Sequence, residues 1–269
     1  MDYKMLVLDL DGTLTNSRKE VTEPTRKALI EIQEAGKIVV LASGRPINGI
    51  RPLAEELQLG RFGGYTLSFN GARITQCSTG NIIYNRTLPA SVIRPIYDIV
   101  KTYPGVDILT YDDECIFSGL CINEYTEKEA FINKMEIVPA EDFVSRLTFP
   151  VNKLLIPGDP DVLKELMGVL QAKFRSLLNI YLSEPFFLEI MPQNIDKAYS
   201  LQKLLNSMGL TADSMICCGD GYNDISMIEY AGLGVAMKNA QPVVKDSADF
   251  ITKSNDEDGI LHVINTFLR

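Results

Sequence analysis

From Lys37 to Gly44 the chain reads KIVVLASG, a β-branched run with no polar interruption before Ser43. A strand with one wet face alternates apolar and polar residues, whereas an unbroken run suits a parallel strand covered on both faces. Its surroundings agree. Before it, an apolar strand over 5–9 leads to a helix over 23–35, with Thr22 as N-cap, Pro24 in the first turn and Gly36 as the stop. After it, a second helix runs to Leu59 and closes at Gly60, and YTLSFNGA then reads as a third strand. Strand, helix, strand, helix, strand predicts a doubly wound α/β fold with a mostly parallel, Rossmann-like core sheet.

Beyond Asn70-Gly71 the pattern changes. ARITQCSTGNIIYNRTL reads as two strands joined by a Ser-Thr-Gly-Asn turn, which is hairpin rather than crossover grammar. Helices over 90–102, 124–135 and 160–174 then intersperse with strands over 106–110, 114–118, 151–156, 178–182 and 186–190, where Phe186 and Phe187 alternate as strand core does. Helix and strand alternation resumes at DKAYSLQKLLNSMG, with further strands at MICCG, GLGVAM and DFIT. The expected organisation is a core domain from 1–80 and 189–269 carrying an inserted α+β cap domain at 81–188. Two domains suit a chain of 269 residues. Ser254 with Glu257 forms a capping box before the last helix, and His262 within that helix is expected to be packed or half exposed.

A net charge of -9 argues against a surface built to neutralise nucleic-acid phosphates. No apolar run approaches the ~20 residues that span a bilayer, and no signal-type segment precedes the first acids, so a cytoplasmic protein is expected. Whether it is a monomer or a weak dimer the sequence leaves open. The five cysteines show no paired metal spacing with the single histidine and read as buried reduced thiols.

Ligands of doubly wound sheets bind beyond the carboxyl ends of the strands, and polar residues gather there: Asp9 and Asp11, Ser43 and Gly44, Asn70, and Asp220. Asp9 and Asp11 share one face of an extended segment, and two carboxylates a few ångströms apart repel by roughly 4 kcal/mol at an effective dielectric of 20. A cation belongs between them. The spacing could begin an EF-hand loop with Glu20 at its twelfth position, but Leu14 stands where that loop needs glycine. Asp220 and Asp224 could cap a helix N-terminus, a role compatible with holding a metal.

Asp9-Leu10-Asp11-Gly12-Thr13, Ser43-Gly44-Arg45, Lys197 and Gly219-Asp220-Gly221-Tyr222-Asn223-Asp224 resemble, in order, the four motifs of the haloacid dehalogenase superfamily. The insert after the third strand, with NGA before it and SNDEDGI near the end, is similar to the Cof-type sugar-phosphate phosphatase branch. The resemblance spans essentially the whole chain. It implies that Asp9 attacks phosphorus, that Asp11 is the acid and base, with a pKa raised beside its neighbour carboxylate, and that Mg²⁺ sits on the Asp9 carboxylate, the Asp11 carbonyl and Asp220. It also implies that the Leu10 N–H, Ser43, the Gly44 N–H, Lys197 and Asn223 hold the phosphoryl group, with Asp224 orienting Lys197 or a metal-bound water. Two positions stand apart: Ala198 follows the lysine where the family usually has glycine, and Arg45 either reaches the substrate or the insert or is solvated. The implied activity is hydrolysis of a small phosphorylated metabolite, a hexose phosphate first, under a cap that selects the leaving group. A phosphotransferase or mutase sharing the aspartyl-phosphate is the alternative; a phospho-accepting regulatory domain would be shorter and would lack both Asp11 and the insert.

Overall fold

A computed structural model describes residues 2–269. The chain first forms β1 (Met5–Leu8), α1 (Glu23–Glu34), β2 (Ile38–Ala42), α2 (Ile47–Glu56), α3 (Leu59–Phe62), β3 (Tyr65–Ser68), β4 (Arg73–Gln76) and β5 (Ile82–Asn85). The middle of the chain forms α4 (Ala90–Val100), β6 (Leu109–Tyr111), β7 (Cys115–Ser118), α5 (Glu124–Asn133), β8 (Glu136–Pro139), α6 (Phe143–Arg146), β9 (Leu154–Pro157), α7 (Pro160–Phe174), β10 (Leu178–Glu184) and β11 (Phe187–Pro192). The end forms α8 (Lys197–Met208), β12 (Met215–Gly219), α9 (Ile225–Tyr230), β13 (Leu233–Ala236), α10 (Pro242–Asp246), β14 (Phe250–Ile251) and α11 (Gly259–Phe267). Contacts divide the chain into two compact units: residues up to Tyr84 with Asp196–Arg269, and Asn85–Ile195. The sequence set the insert at 81–188; here the edge strand β5 lies in the core sheet and all of β11 in the second.

The core sheet has the order β14-β13-β12-β1-β2-β3-β4-β5. All neighbours from β14 to β3 are parallel, and β4 returns antiparallel to β3 in the register Thr66 to Thr75. Its central strands are buried on both faces, as the unbroken β-branched runs require. Leu6, Leu8, Val39 and Leu41 pack with Leu29 and Ile32 of α1 and Val263 and Ile264 of α11. Met5, Val7, Val40 and Ala42 face the other way onto Leu201, Leu204 and Leu205 of α8. The two-residue period of the strands thus feeds two separate apolar layers. The helix ends follow their sequence signals: Thr22 accepts from the Thr25 N–H, Asp196 caps α8 through the Tyr199 N–H, and Gly209 ends α8 in the left-handed conformation.

The inserted unit is a six-stranded sheet, β10-β11-β9-β6-β7-β8, antiparallel except between β7 and β8. One face, through Leu154, Ile156, Leu188 and Ile190, packs on Ile96 and Val100 of α4 and Leu166 and Leu170 of α7. Several expectations shift locally. The strand expected over 106–110 is Leu109–Tyr111, preceded by the fully buried Asp107, whose carboxylate takes hydrogen bonds from the Ile108 and Leu120 N–H groups and from Ser118 and Thr126. Phe186 is not strand core but part of the turn before β11, stacked on Tyr125 at 5.1 Å between ring centroids under the Lys128 ammonium. β8 and α6 went unread because each is only four residues long. The Ser254–Glu257 capping box closes a short 3₁₀ turn rather than α11, and Asp258 in the left-handed conformation separates the two. His262 is partly buried, its Nδ1 3.1 Å from the Thr252 hydroxyl and its ring stacked on Phe250. All five cysteines are free; Cys217 and Cys218 are buried in β12, but Cys121 is exposed, against the expectation of buried thiols throughout. Among the described residues no helix is long and apolar enough to cross a membrane.

Leu8 is fully buried beside the site, so Leu8→Ala is expected to cost about 2–5 kcal/mol in urea unfolding, whereas Ile82→Ser on the half-exposed edge strand should stay within about 0.5 kcal/mol.

Candidate active site

Four parallel strands end side by side. Leu8 of β1 pairs with Leu41 of β2 and Cys218 of β12, and the Asp9 N–H continues the register by donating to the Cys218 carbonyl at 3.0 Å. This brings Asp9, Ser43 and Asp220 to one edge, with Asn70 two residues past β3, and β1 is where the chain's direction of travel across the sheet reverses.

Lys197, the first residue of α8, is fully buried and its ammonium donates to three acceptors: Asp9 Oδ1 at 2.7 Å, Asp224 Oδ1 at 2.5 Å and the Ala42 carbonyl at 2.9 Å. All three of its protons are therefore used. Burial works against its charge, but Asp224 and Asp9 more than offset that and hold its pKa above the ordinary lysine value. Asp224 is also saturated, since its Oδ2 accepts from the Asp220 and Gly221 N–H groups at 3.0 and 2.9 Å. Asp9 is less well compensated: burial and then the Asp224 charge push its pKa up to about 8 against the pull of Lys197. Asp220 is pushed up to about 6, chiefly by burial, although Thr13 donates to its Oδ1 at 2.8 Å.

Carboxylate oxygens of Asp9, Asp220 and Asp224 come within 4.8 Å of one another. Because both oxygens of Asp224 are already engaged, Asp9 and Asp220 are the two with capacity left for a cation. The turn beside them is shaped to match: Gly12 has φ +84°, and a Cβ there would stand 2.4 Å from Asp220 Oδ2. One buried and one partly buried acid, both with raised pKa values, and a side-chain-free approach fit a hard divalent cation, whose charge would oppose both shifts. Next to them, the Leu10 and Gly44 N–H groups donate to no protein acceptor among the described residues, with Leu10 fully buried and Gly44 partly so. The Ser43 hydroxyl accepts from the Arg45 N–H at 3.2 Å, leaving its own proton to donate.

Asp11 differs from expectation. Its carboxylate is gripped by Arg45, with Nε on Oδ2 at 2.8 Å and Nη2 on Oδ1 at 2.6 Å, and by the Lys19 ammonium at 2.7 Å. Burial alone would raise its pKa, but these two cations hold it below the usual carboxylate value, not above it. The deciding partner, Arg45, is 34 residues away in sequence, and no spacing rule connects them. Arg45 is neither solvated nor directed elsewhere: it belongs to Asp11. Asn223 is exposed and its amide donates to Asn70 Oδ1 at 3.0 Å, a pairing the sequence reading did not foresee.

Acids with spare capacity, a buried ammonium and amide donors without protein acceptors among the described residues gather at the carboxyl ends of a doubly wound sheet, where α/β enzymes bind their ligands. The chain belongs to the haloacid dehalogenase-like hydrolases, whose family pattern matches residues 6–264. A crystal structure of a haloacid dehalogenase-like hydrolase from Bacteroides thetaiotaomicron shares 48% identity and a TM-score of 0.95, covering 98% of each chain. The HAD subclass IIB sugar phosphatase BT4131 shares 25% identity at a TM-score of 0.80, again over 98% of both. The 5-amino-6-(5-phospho-D-ribitylamino)uracil phosphatase YcsE of Bacillus subtilis (strain 168) is 30% identical, over 98% of this chain and 95% of its own.

Asp224→Asn breaks a buried ion pair and is expected to lower unfolding free energy by about 3–5 kcal/mol in a denaturant titration, against at most about 1 kcal/mol for removing the partly exposed Lys19 partner of Asp11. The raised acids also set a pH dependence. A folded-state pKa above the unfolded one stabilises the fold at low pH, and that contribution is lost as pH rises through the folded value. Metal-free protein should therefore lose stability between about pH 4 and pH 8, the window set by Asp220 at about 6 and Asp9 at about 8. Added Mg²⁺ should raise Tm at pH 8 and barely at pH 4.5, where protonated acids cannot ligate; an equal rise at both would contradict these acids as ligands.

Proposed function

We propose that the protein is a Mg²⁺-dependent phosphatase of small phosphomonoesters, sugar phosphates and hexose phosphates first, working through an aspartyl-phosphate on Asp9. The observation that carries this reading is the state of Asp9: one oxygen is fixed by the buried Lys197, and the Leu10 and Gly44 N–H groups have no protein acceptor among the described residues. An anion-receiving pocket built around a fixed carboxylate suits attack on phosphorus. The family and its neighbours named as phosphatases, a sugar phosphatase among them, support the same class.

The Asp9 and Asp220 carboxylates and the Asp11 backbone carbonyl would hold Mg²⁺, which when bound neutralises charge on Asp9 and on the phosphoryl oxygens. The Ser43 hydroxyl, the Leu10 and Gly44 N–H groups and the Asn223 amide donate to the phosphoryl oxygens, where charge must be stabilised as the bond to the leaving oxygen breaks, and Lys197 joins them by turning the proton it holds on Asp9 Oδ1 toward the phosphoryl group. Asp9 forms a bond to phosphorus while the ester oxygen departs and takes a proton from Asp11. Asp11, now ionised, removes a proton from the water that attacks phosphorus and releases orthophosphate, restoring Asp9. In the structure Asp11 is tied to Arg45, whose charge lowers its pKa, so taking up a proton requires leaving that guanidinium. Asp224 holds Lys197 upright and does not touch the substrate.

With p-nitrophenyl phosphate and Mg²⁺, Asp9→Asn is expected to abolish turnover and Asp11→Asn to lower kcat by about 10²–10⁴. Full activity in both variants would defeat the assignment. A panel of phosphorylated metabolites should rank sugar monophosphates above nucleotides; the reverse order would remove the sugar-phosphate part of the proposal.

A further inference from the structure

Three consecutive residues after β3 carry positive φ: Phe69 at +53°, Asn70 at +53° and Gly71 at +104°. Glycine adopts this freely, and asparagine better than most, but two non-glycine residues in succession are unusual. Such backbone persists only where its surroundings over-determine it, and it concentrates at ligand clamps. Here the surroundings do so from both sides. The Phe69 and Asn70 N–H groups donate to the Arg45 and Ser43 carbonyls, each at 3.0 Å, which ties the turn to the loop carrying Ser43, Gly44 and Arg45. Ser200 of α8 donates to the Gly71 carbonyl at 2.5 Å, and a Cβ on Gly71 would stand 2.7 Å from the Asp196 carbonyl oxygen, so the lysine-bearing helix closes on the turn.

The turn delivers the Asn70 amide between two parts of the proposed phosphoryl pocket. Its Oδ1 accepts from the Asn223 amide at 3.0 Å. On its other side is Gly44, where a Cβ would lie 3.2 Å from both Asn70 Nδ2 and Oδ1, so Gly44 leaves room for this amide. Asn70 Nδ2 donates to no protein acceptor among the described residues, although the residue is only partly exposed. Asparagine as a mere occupant of left-handed backbone accounts for its φ, but not for an amide wedged between Gly44 and Asn223 with its acceptor used and its donor free.

We propose that Asn70 is a further substrate-binding residue: Nδ2 donates to the phosphoryl group and Oδ1 fixes the Asn223 amide so that its second proton does the same. This rests on the phosphatase reading above. The two amides then form one continuous donor edge beside Gly44. Neither needs to move to accept an anion.

Asn70→Gly keeps the backbone preference and deletes the amide, while Asn70→Asp keeps the shape and the acceptor for Asn223 but puts a carboxylate oxygen where the donor was. Thermal unfolding should place Asn70→Gly at or above the wild type. With p-nitrophenyl phosphate and Mg²⁺, kcat/KM should fall about 10²-fold or more in both, further in the aspartate variant, whose charge repels the phosphoryl group. Competitive inhibition by orthophosphate should weaken roughly ten- to a hundredfold in both. Orthophosphate inhibition within twofold of wild type in Asn70→Gly would overturn the proposal, whatever happens to turnover, as would kcat/KM within threefold in either variant. A wild-type protein inert toward every phosphomonoester tried is a separate result: it removes the phosphatase reading, and with it the role given to Asn70.

Discussion

The buried ammonium of Lys197 is the interaction on which the site depends. A lysine with no solvent contact must place all three protons on acceptors or lose its charge. Here the acceptors come from the end of β1, the end of β2 and the loop after β12, while the lysine itself opens α8. One cation thus ties together four segments that are distant in sequence. Its arrangement also explains the division among the acids: Asp224 is consumed by the lysine and two backbone N–H groups, so Asp9 and Asp220 are left as the acids able to take a metal or attack a substrate.

A second constraint acts on the neighbouring acid. Asp9 and Asp11 are two residues apart, yet their environments push their pKa values in opposite directions, Asp9 by burial and Asp224, Asp11 by Arg45 and Lys19. Separated protonation behaviour is what a nucleophile and a proton-transfer group require of adjacent carboxylates. In the proposed reaction the two shifts run against those tasks, the Asp9 pKa raised and the Asp11 pKa lowered. A bound divalent cation would favour the Asp9 carboxylate again.

Much of this was legible in the residues. The apolar run at β1, the β-branched run at β2, the Thr22 and Gly36 boundaries and the hairpin after Asn70 point to the doubly wound core and to its interruption, because both follow from local periodicity and turn chemistry. The strand-end rule located Asp9, Ser43, Asn70 and Asp220 at one edge. What local pattern cannot carry is pairing between side chains brought together by packing. Arg45 on Asp11, Asn70 on Asn223 and the saturation of Asp224 each depend on distances across the sheet, so the direction of the Asp11 shift was read wrongly from its nearest neighbour in sequence. Phe186 was misplaced for a related reason, since a turn aromatic stacked on Tyr125 looks the same in sequence as one entering a strand.

The order of these parts along the chain has a consequence for synthesis. Asp9 and Lys197 are 188 residues apart, and Thr13 and Asp220 are 207 apart. At about 5–20 residues per second, Asp9 leaves the ribosome on the order of ten to forty seconds before its lysine does. Through that interval β1 lacks β12 on one side, and its terminal acid lacks the cation that allows it to be buried. The inserted unit, with its own apolar layer, can fold meanwhile, but the core sheet closes only when the last quarter of the chain arrives. A ribosome that stops after Ile195 but before β12 therefore leaves a complete insert beside a core sheet in which β1 has an unpaired edge.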